Sequence, residues 1–502
     1  MPVLNDLVAE GTLVPDYGRW PRAVVEVQTW DEALMALATG NLALLGLWGE
    51  TAHVHMALLE APTSAVAVLT LPCPEGRYPS VGLTHPPALR LERAIHDLFG
   101  LVPEGIPDAR PWLDHGQWPE GFPMNPARPA GGERRPYAFL RSEGEGLHQI
   151  AVGPVHAGII EPGHFRFTAN GETVVRLEQR LGYTHKGIES LMAGADLEKA
   201  AELAGRVSGD STVAYAWAFA MAVEAATQTE VPPRAIWVRA LMAELERIAN
   251  HLGDVGAICN DAAFPVLLAH FGALRERVLR ASDLAFGHRL MRDCIVPGGV
   301  AAEPNSDGIA AITALVVEIG RQLPRLTETY DNTASLQDRT VSTGVLKPAL
   351  AAQYGAGGYV GRASGRSFDT RRALPYAPYD ALKFEVPVLN EGDVDARVWI
   401  RIREIEQSLS LIRQLLDGLP AAPSRTEIPA RGGEAMAIVE GFRGDVLVWL
   451  RLDASGRVER CHLRDPSWFQ WPLLEAAVEG NIVADFPLCN KSFNCSYSGH
   501  DI

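Results

Sequence analysis

Two long stretches of the chain carry apolar residues at helical spacing, and they limit the fold more than any other feature of the sequence. The first opens at Pro232 and Pro233. Its apolar residues recur at intervals of four, three, four and three: Leu241, Leu245, Ile248, Leu252 and Val255. The second repeats much the same rhythm over residues 402–416. Because such stripes bury one face of each helix, they predict a bundle of packed α-helices.

Shorter segments on either side of these helices have the pattern of β-structure. Residues 164–175 alternate around Asn170 and Gly171, a pair suited to the turn of a β-hairpin. Residues 445–453 are rich in Val, Leu and Trp and predict a strand of a small sheet that caps the bundle. Residues 64–71 end at Pro72 and predict a strand in a separate N-terminal module.

A segment dense in Pro, Gly and charge, residues 107–135, separates this module from the rest of the chain. Such a composition cannot sustain helix or sheet hydrogen bonds, so it predicts a connector. We place the boundary near residue 140, between an N-terminal module of residues 1–140 and a C-terminal domain of residues 141–502. The predicted class is α+β: a small α/β module, then a mainly α-helical bundle with a peripheral β-hairpin and a small sheet.

Charge and composition exclude several functions. Acidic residues outnumber basic ones by 61 to 45, which argues against a nucleic-acid partner. The N-terminus does not read as a secretion signal, and no apolar run reaches the 18 residues typical of a membrane span. The six cysteines form no C-x-x-C pair, which favours reduced thiols in the cytoplasm. The glycines of residues 355–361 have the wrong spacing for a dinucleotide loop, so NAD binding is not expected.

Residues 92–110 form an ordered string of charged, aromatic, Gly and Pro positions, ERAIHDLFG followed by PEGIPDAR. This string resembles the signature of the 30 kDa subunit of respiratory complex I and of its hydrogenase counterparts. A solvated helix followed by a Pro-rich loop would explain the composition but not the order. In that family the segment docks neighbouring subunits, so the resemblance implies a docking role for eight residues: Glu92, Arg93, Asp97, Phe99, Gly100, Pro107, Asp108 and Arg110.

Several short motifs in the second part of the chain occur together in one protein family. They read GPVH at residues 153–156, EPGHFR at 161–166, YTHKGIE at 183–189, DRT at 338–340, and RASG and DTR at 362–365 and 369–371. From Gly153 onward the chain is similar to the 49 kDa subunit of complex I and to the large subunit of energy-converting hydrogenases of the formate hydrogenlyase and hydrogenase-4 type. The resemblance implies the fold of a nickel–iron hydrogenase large subunit.

In those hydrogenases two C-x-x-C pairs hold nickel and iron, because soft thiolates suit these metals. The two pairs fall here on four positions without a thiol: Ser208, Ser211, Ser496 and Gly499. A serine hydroxyl is a hard, protonated and weak ligand at neutral pH. We therefore expect no nickel–iron centre and no other metal bound by this chain. Rescue of the site by Cys489 and Cys495 is the disfavoured alternative.

In complex I the vacated region became the pocket for the quinone headgroup, and the resemblance implies that residues 156–164 face such a cavity. Reduction of a carbonyl needs a proton donor nearby, and histidine suits this role because its ordinary pKa lies near neutrality. Four residues are candidate proton donors: His156, Glu161, His164 and His185. The same residues are also compatible with structural hydrogen bonds of a tight hairpin.

Charged residues near these motifs have two possible roles. Arg206 and Asp210 flank the lost metal ligands, where a charged pair could replace the metal electrostatically or tie two helices together. Arg362, Asp369 and Arg371 could stabilise a reduced iron–sulfur cluster in a partner subunit, or hold helix ends.

The resemblance as a whole implies an electron-transfer subunit of a membrane-attached complex. Its expected partners are a small iron–sulfur subunit and membrane subunits that translocate ions, on the cytoplasmic face of the cell membrane. The expected acceptor is a quinone, and the chain itself is expected to hold no cofactor. A non-catalytic scaffold between the redox arm and the membrane arm is the alternative, and an active hydrogenase is the least favoured hypothesis.

We predict that the purified complex carries no stoichiometric nickel in this chain, because all four thiolates are replaced. Elemental analysis of the intact complex, with its subunits identified, tests this expectation. Nickel and iron present at one equivalent each per chain, beyond the iron of clusters in other subunits, would contradict it.

Overall fold

A computed structural model describes residues 3–15, 17–118, 121–128, 137–156 and 160–501. The N-terminal module contains ten elements: α1 (Val3–Glu10), β1 (Thr12–Leu13), β2 (Arg22–Val24), α2 (Val27–Ala38), β3 (Ala43–Gly49), β4 (His53–Glu60), β5 (Ala65–Pro72), β6 (Arg77–Pro79), α3 (Leu89–Phe99) and β7 (Val102–Glu104). Five strands form one sheet in the order β1-β2-β5-β4-β3, in which only β2 and β5 are parallel. The strand predicted at residues 64–71 is β5.

A three-stranded antiparallel sheet opens the C-terminal domain, with strands β8 (Leu147–Val152), β9 (His164–Asn170) and β10 (Thr173–Arg180) in the order β10-β9-β8. The hairpin between β9 and β10 lies where it was predicted. Its turn is displaced by one residue, because Asn170 pairs with Thr173 and the two turn positions are Gly171 and Glu172. Gly171 has a φ of 57°, a conformation that costs glycine little.

Long helices make up the body of this domain. The helices between the hairpin and the last sheet are α4 (Ile188–Met192), α5 (Leu197–Ala204), α6 (Thr212–Thr227), α7 (Pro233–Asp261), α8 (Pro265–Phe286), α9 (Ser306–Asp331), α10 (Ala334–Thr340), α11 (Pro348–Gln353), α12 (Gly358–Ala363), α13 (Thr370–Ala373) and α14 (Val394–Asp417), with a two-stranded ribbon of β11 (Ile295–Val296) and β12 (Gly299–Val300). Helix α7 starts with Pro233 at its first position, where the missing N–H costs nothing. Both predicted apolar stripes are buried, one in α7 and one in α14. Within the described ranges, no helix is long and apolar enough to cross a membrane.

The last sheet lies between the bundle and the N-terminal module. Its strands β13 (Gly433–Gly441), β14 (Gly444–Leu452) and β15 (Val458–Arg464) form an antiparallel meander. It packs on α6 as the expected cap of the bundle. Its other face is covered by the N-terminal sheet, where the Trp48 and Trp449 ring centroids are 5.5 Å apart around Leu447. The two modules therefore share one apolar core.

The last described residues lie inside the molecule. Helices α15 (Ser467–Val478) and α16 (Phe486–Phe493) lead into a C-terminal tail, residues 494–501, in which His500 and Asp501 have no exposed surface. Most of this tail is buried although its composition is polar and aromatic. The tail brings residues from the end of the chain next to the turn in front of α6.

We predict that Leu447→Ala lowers the free energy of unfolding by about 2–5 kcal/mol, because it opens a cavity between the two sheets. Chemical denaturation of the purified chain measures the change. Leu13→Ala, at a leucine that is 58% exposed on the same N-terminal sheet, should change it by less than about 0.5 kcal/mol. Equal effects of the two variants would show that the two sheets do not share a core.

Candidate functional site

The four positions that correspond to the hydrogenase ligands come together in the structure. Ser208 and Ser211 border the 3₁₀ turn before α6, and Ser496 and Gly499 lie in the C-terminal tail. The Ser208 Oγ and Ser496 Oγ atoms are 3.0 Å apart and share a hydrogen bond. The backbone N–H of Gly499 donates to Ser496 Oγ at 2.9 Å. We call the space around these four residues the former metal site.

An ion pair occupies the open side of the former metal site. Arg443, in the turn between β13 and β14, donates to the two Asp210 carboxylate oxygens at 2.7 and 2.6 Å. Its guanidinium also donates to Ser211 Oγ at 3.2 Å. Although burial alone would raise the pKa of Asp210, the Arg443 guanidinium lowers it to about 2. The two opposite charges therefore neutralise each other beside the serines.

These residues do not fit a nickel–iron centre. The Ser208 hydroxyl donates to Asp210 Oδ1 at 2.7 Å and accepts from the Ser496 hydroxyl, so both are already bonded, and Gly499 has no side chain to offer. A Cβ atom added at Gly499 would lie 2.5 Å from Asp465 Oδ2, an oxygen that already accepts a hydrogen bond from the Tyr215 hydroxyl. In the part of the chain that the structure describes, no cluster of His, Cys, Asp and Glu has the arrangement of a metal site.

The two nearby cysteines do not compensate for the lost ligands. Cys489 and Cys495 are both buried. Burial raises the pKa of both thiols, to about 12 for Cys489. Because only the thiolate is a good metal ligand, protonated thiols of this kind do not rescue the site.

Three of the four candidate proton donors are held beside the former metal site or on the strand that leads to it. His185 Nδ1–H donates to the Asp501 carbonyl at 2.9 Å, and the Glu161 carboxylate accepts from the Ser498 N–H at 2.9 Å. His164 is buried at the start of β9 and donates from Nδ1 to the Gly153 carbonyl at 3.0 Å. His156 is exposed on the adjoining loop.

Lys186 and Asp501 connect these donors to the former ligands. Lys186 Nζ donates to the Val207 carbonyl at 2.7 Å, one residue before Ser208, and partial burial lowers the pKa of this lysine. The Asp501 carboxylate accepts from the backbone N–H groups of Gly182 and Thr184. The loop after β10 and the C-terminal tail therefore form one hydrogen-bonded unit.

A crevice of about 250 Å³ opens beside His185, between the two modules. Most of its walls are apolar or aromatic, and they include Leu98, Trp118, Met124, His185, Lys186 and Leu191. The Trp118 and His185 ring centroids are 5.2 Å apart. The crevice combines apolar walls with a few polar groups, among them His185 and Glu189, as many small-molecule sites do.

The pairing expected between Arg206 and Asp210 does not occur. Arg206 forms an ion pair with Asp293 at the protein surface, and Asp210 binds Arg443. The Arg206 guanidinium is held away from Asp210, because it also donates to the Glu202 carbonyl one helical turn earlier. The partner of Asp210 is therefore Arg443, a residue more than 200 positions away in the sequence.

Arg362, Asp369 and Arg371 are buried inside the bundle. They belong to a buried group that we call the charge cluster: Glu244, Arg247, Arg362, Asp369, Arg371, Glu404 and Glu440. Arg362 bonds to Glu404 at 2.7 Å and to Glu440 at 2.9 Å, and Arg371 bonds to Asp369 at 2.6 Å and to Glu244 at 2.9 Å. Of the two roles left open by the sequence, these contacts favour holding the helices together.

The residues of the predicted docking string mostly make contacts within the chain. Glu92, Arg93, Asp97 and Phe99 are buried, and Gly100 ends α3 with a φ of 70°. The Glu92 carboxylate accepts from the Val81 N–H at 2.7 Å, and the Asp97 carboxylate accepts from the Trp112 N–H at 2.6 Å. None of these four side chains is exposed in the folded chain: residues 80–82 bond to Glu92, and the connector after β7 bonds to Arg93 and Asp97.

The end of the same string joins the two modules. Asp108 and Arg110 are half-buried, and Pro107 is exposed. Arg110 bonds to Asp108 at 2.7 Å and to Glu178 of β10 at 2.6 Å. Asp108 and Arg110 therefore help to hold the N-terminal module against the C-terminal domain of the same chain.

Sequence reasoning missed several residues of the site, above all Arg443, Asp465, Asp501 and Lys186. Arg443 had a local signal, because it stands in the Gly441–Gly444 turn between two strong strand patterns. Lys186 lay within the YTHKGIE string but was not selected. Nothing in the sequence indicated that Asp465 would lie beside Gly499.

Comparison with known families defines the class of protein. Residues 26–134 match the model of the respiratory-chain NADH dehydrogenase 30 kDa subunit. Residues 262–431 and 424–501 match that of the 49 kDa subunit, and residues 186–253 match nickel-dependent hydrogenases. The chain belongs to the family of complex I 49 kDa subunits and hydrogenase large subunits, with a 30 kDa-like module in front.

Its relatives include formate hydrogenlyase subunit 5 of Escherichia coli, which is 31% identical over 84% of this chain and 77% of the relative. The carbon monoxide-induced hydrogenase of Rhodospirillum rubrum is 33% identical over 69% of this chain and 97% of the relative. A chain in the structure of the membrane-bound sulfane sulfur reductase, an archaeal respiratory membrane complex, superposes with a TM-score of 0.67 at 28% identity, covering 71% of this chain and 99% of that one. The relatives are thus subunits of membrane-bound respiratory or hydrogenase-like complexes.

We predict that Asp210→Ala destabilises the protein by about 1–3 kcal/mol near neutral pH, because it leaves the buried Arg443 guanidinium without its carboxylate. Since the folded state lowers the pKa of Asp210, its contribution is present above the ordinary value of 3.8 and is lost as the pH falls through about 2. Thermal melts over that pH range should show the variant and the wild type converging. Asp293→Ala, which removes the exposed partner of Arg206, is the control and should cost less than about 1 kcal/mol.

Proposed function

We propose that this chain is the subunit of a membrane-associated oxidoreductase complex in which electrons from a partner's iron–sulfur centre reach a quinone-like acceptor, without a nickel–iron centre. The observation that carries the proposal is the former metal site, where hydroxyls and an Arg443–Asp210 ion pair replace the thiolates. Relatives that are named as subunits of NADH-quinone oxidoreductase, such as one from a Roseiflexus strain at 33% identity, support a quinone as the acceptor.

The crevice beside His185 is the proposed binding place of the acceptor. The former metal site is filled by side chains that bond to one another, so an acceptor headgroup would sit next to it rather than inside it. The crevice has an apolar wall from Leu98, Met124 and Leu191 for a ring, and a histidine at its end for a carbonyl oxygen.

Reduction of a quinone consumes two electrons and two protons and yields a quinol. The electrons would come one at a time from the iron–sulfur centre of the partner. Because His185 Nδ1–H is committed to the Asp501 carbonyl, its Nε2 atom is the one that can take up a proton and donate it to the reduced oxygen. Glu161 and His164 would support the loop that faces the acceptor, and His156 could exchange protons with solvent.

The partners in this proposal are a small iron–sulfur subunit and membrane subunits that translocate ions. They would hold the chain at the cytoplasmic face of the membrane. Protonation changes at the acceptor would shift the population of conformations in the membrane subunits, which is how redox chemistry can drive ion movement.

A non-catalytic scaffold is the second candidate, and the filling of the former metal site favours it. In that case the chain would retain the fold to connect the redox arm to the membrane arm, with no chemistry of its own. The two candidates differ in which substitutions matter. A scaffold tolerates changes at His156 and His185, whereas changes at the Arg110–Glu178 contact between modules disturb the assembly.

We predict that His185→Gln in the intact complex reduces the rate of quinone reduction by about 100-fold or more, because a positioned proton donor is lost. Rates measured with a water-soluble quinone, together with binding of a quinone analogue, test this. His270→Gln, at an exposed histidine of α8, is the control and should leave the rate unchanged.

Three outcomes separate the hypotheses. Unchanged turnover in both His156→Gln and His185→Gln, with dissociation of the complex in Arg110→Ala, would support the scaffold. Failure of the wild-type complex to bind the analogue at all would remove quinone as the acceptor. Loss of turnover in His185→Gln with the complex still assembled would support the electron-transfer role.

A further inference from the structure

The loop between β10 and α4, residues 181–187, belongs to no helix or strand. It carries His185, the proposed proton donor of the acceptor site. A proton donor is effective only when it is held at the right distance and angle from the reacting atom. Because the loop has no ladder of backbone hydrogen bonds, its shape must be fixed by contacts from other parts of the chain.

The two ends of this loop are fixed by different neighbours. His115 of the connector donates from Nε2–H to the Leu181 carbonyl at 2.7 Å. At the other end, Lys186 Nζ donates to the Val207 carbonyl at 2.7 Å. Neither contact involves the middle of the loop, residues 182–185.

The middle of the loop is held by Asp501 of the C-terminal tail. The Asp501 carboxylate accepts from the Gly182 N–H at 2.9 Å, from the Thr184 N–H at 3.2 Å and from the Thr184 hydroxyl at 2.8 Å. The Asp501 carbonyl accepts from His185 Nδ1–H at 2.9 Å. These are all the hydrogen bonds that residues 182–185 make to the described parts of the chain. One residue therefore sets the shape of the loop around His185.

Asp501 is itself well fixed. It has no exposed surface, and its backbone N–H donates to the Ser498 carbonyl at 3.3 Å. The neighbouring His500 ring packs between two tryptophans, with centroid distances of 4.0 Å to Trp468 and 5.3 Å to Trp112. The tail therefore holds the Asp501 carboxylate from a buried and packed support.

The contact with the Asp501 carbonyl also decides which ring nitrogen of His185 carries the proton. A carbonyl oxygen can only accept, so the neutral ring is protonated at Nδ1 and has its lone pair at Nε2. The Trp118 and His185 rings both line the crevice, with centroids 5.2 Å apart. The tail thus fixes both the place of the ring and the nitrogen that can bind a further proton.

We propose that Asp501 is a positioning residue, which fixes the place and the tautomer of the His185 ring through the C-terminal tail. Its use in catalysis rests on the proposed reduction of an acceptor in the crevice by electrons from the partner's iron–sulfur centre. In that reaction the His185 imidazolium gives its Nε2 proton to the reduced oxygen and takes another from solvent. Nδ1 keeps its proton throughout, and Asp501 itself transfers none.

The test uses heteronuclear NMR spectra of the full chain, labelled at the histidine nitrogens, at a pH where the ring is neutral. His185→Gln identifies the signal of this histidine. The wild type should show one tautomer, with the proton on Nδ1. Asp501→Ala should show a mixture of both tautomers, because the loop is no longer tied to the tail.

Asp393→Ala is the matched control. Asp393 is also buried and also accepts from two backbone N–H groups, those of Ser342 and Ala396. Its loss should destabilise the chain but leave the His185 signal as in the wild type. A mixture of tautomers in this control as well would show a general effect of destabilisation and would contradict the proposal.

Two further results would overturn the positioning role: a wild-type ring protonated at Nε2, or a single Nδ1–H tautomer in folded Asp501→Ala. Asp501→Asn serves if the alanine variant does not fold. Its amide NH2 group cannot accept from a backbone N–H, so part of the contact with the loop is lost and both tautomers should again be present. The wild-type signal in this folded variant would equally contradict the proposal.

Turnover of the intact complex separates this proposal from the proposed function. Asp501→Ala should lower kcat for quinone reduction by about tenfold or more and change KM by less than about twofold, because the proton donor is displaced and the crevice walls are not. Asp393→Ala should leave both unchanged. A changed tautomer with unchanged kcat would support the positioning of His185 and remove this histidine as the proton donor. An unchanged tautomer would remove the positioning role whatever the turnover.

Discussion

The contact between the turn before α6 and the C-terminal tail is the constraint on which the rest of the site depends. Ser208 and Ser496 are 288 residues apart in sequence, yet their hydroxyl oxygens are 3.0 Å apart. The contact between these two segments consists of hydrogen bonds and of the Arg443–Asp210 ion pair beside them. Side chains that are distant in sequence thus hold the end of the chain against the turn before α6.

A largely buried ion pair such as Arg443–Asp210 is often close to neutral in net stability, because the cost of desolvating the two charges offsets their attraction. Breaking such a pair is nevertheless costly. We therefore regard Arg443 and the charge cluster as devices that select one arrangement of turns and helices. The large apolar core supplies the stability, and it includes the sheets that join the two modules.

The sequence predicted the parts of this structure that follow from local patterns. The stripes of α7 and α14 and the β9–β10 hairpin each have a periodic or compositional signal within a short window. The hairpin turn was off by one position because two adjacent residues, Asn170 and Gly171, both suit a turn, and only the strand register decides between them. Family resemblance predicted that Ser208 and Ser496 would meet.

Partners of charged residues could not be predicted in the same way. Arg206 lies four residues from Asp210, but their side chains leave the turn toward Asp293 and Arg443. The docking string had a similar outcome: its charged residues mark a contact, and the sequence could not tell a contact within the chain from one between subunits. The charge of a residue does not predict which partner its side chain will meet. An apolar stripe does predict the orientation of its side chains, because every member must face the core.

The β13–β14 turn brings two polar regions of different character close together. On one side the former metal site is lined by hydroxyls and one ion pair. On the other side the charge cluster is enclosed by apolar helices, so its electrostatic interactions are less screened by water. Arg247 belongs to the charge cluster and donates to the Glu440 and Gly441 carbonyls, so the cluster holds in place the turn that carries Arg443. The position of Arg443 beside Asp210 therefore depends on the buried charges behind this turn as well as on the residues in front of it.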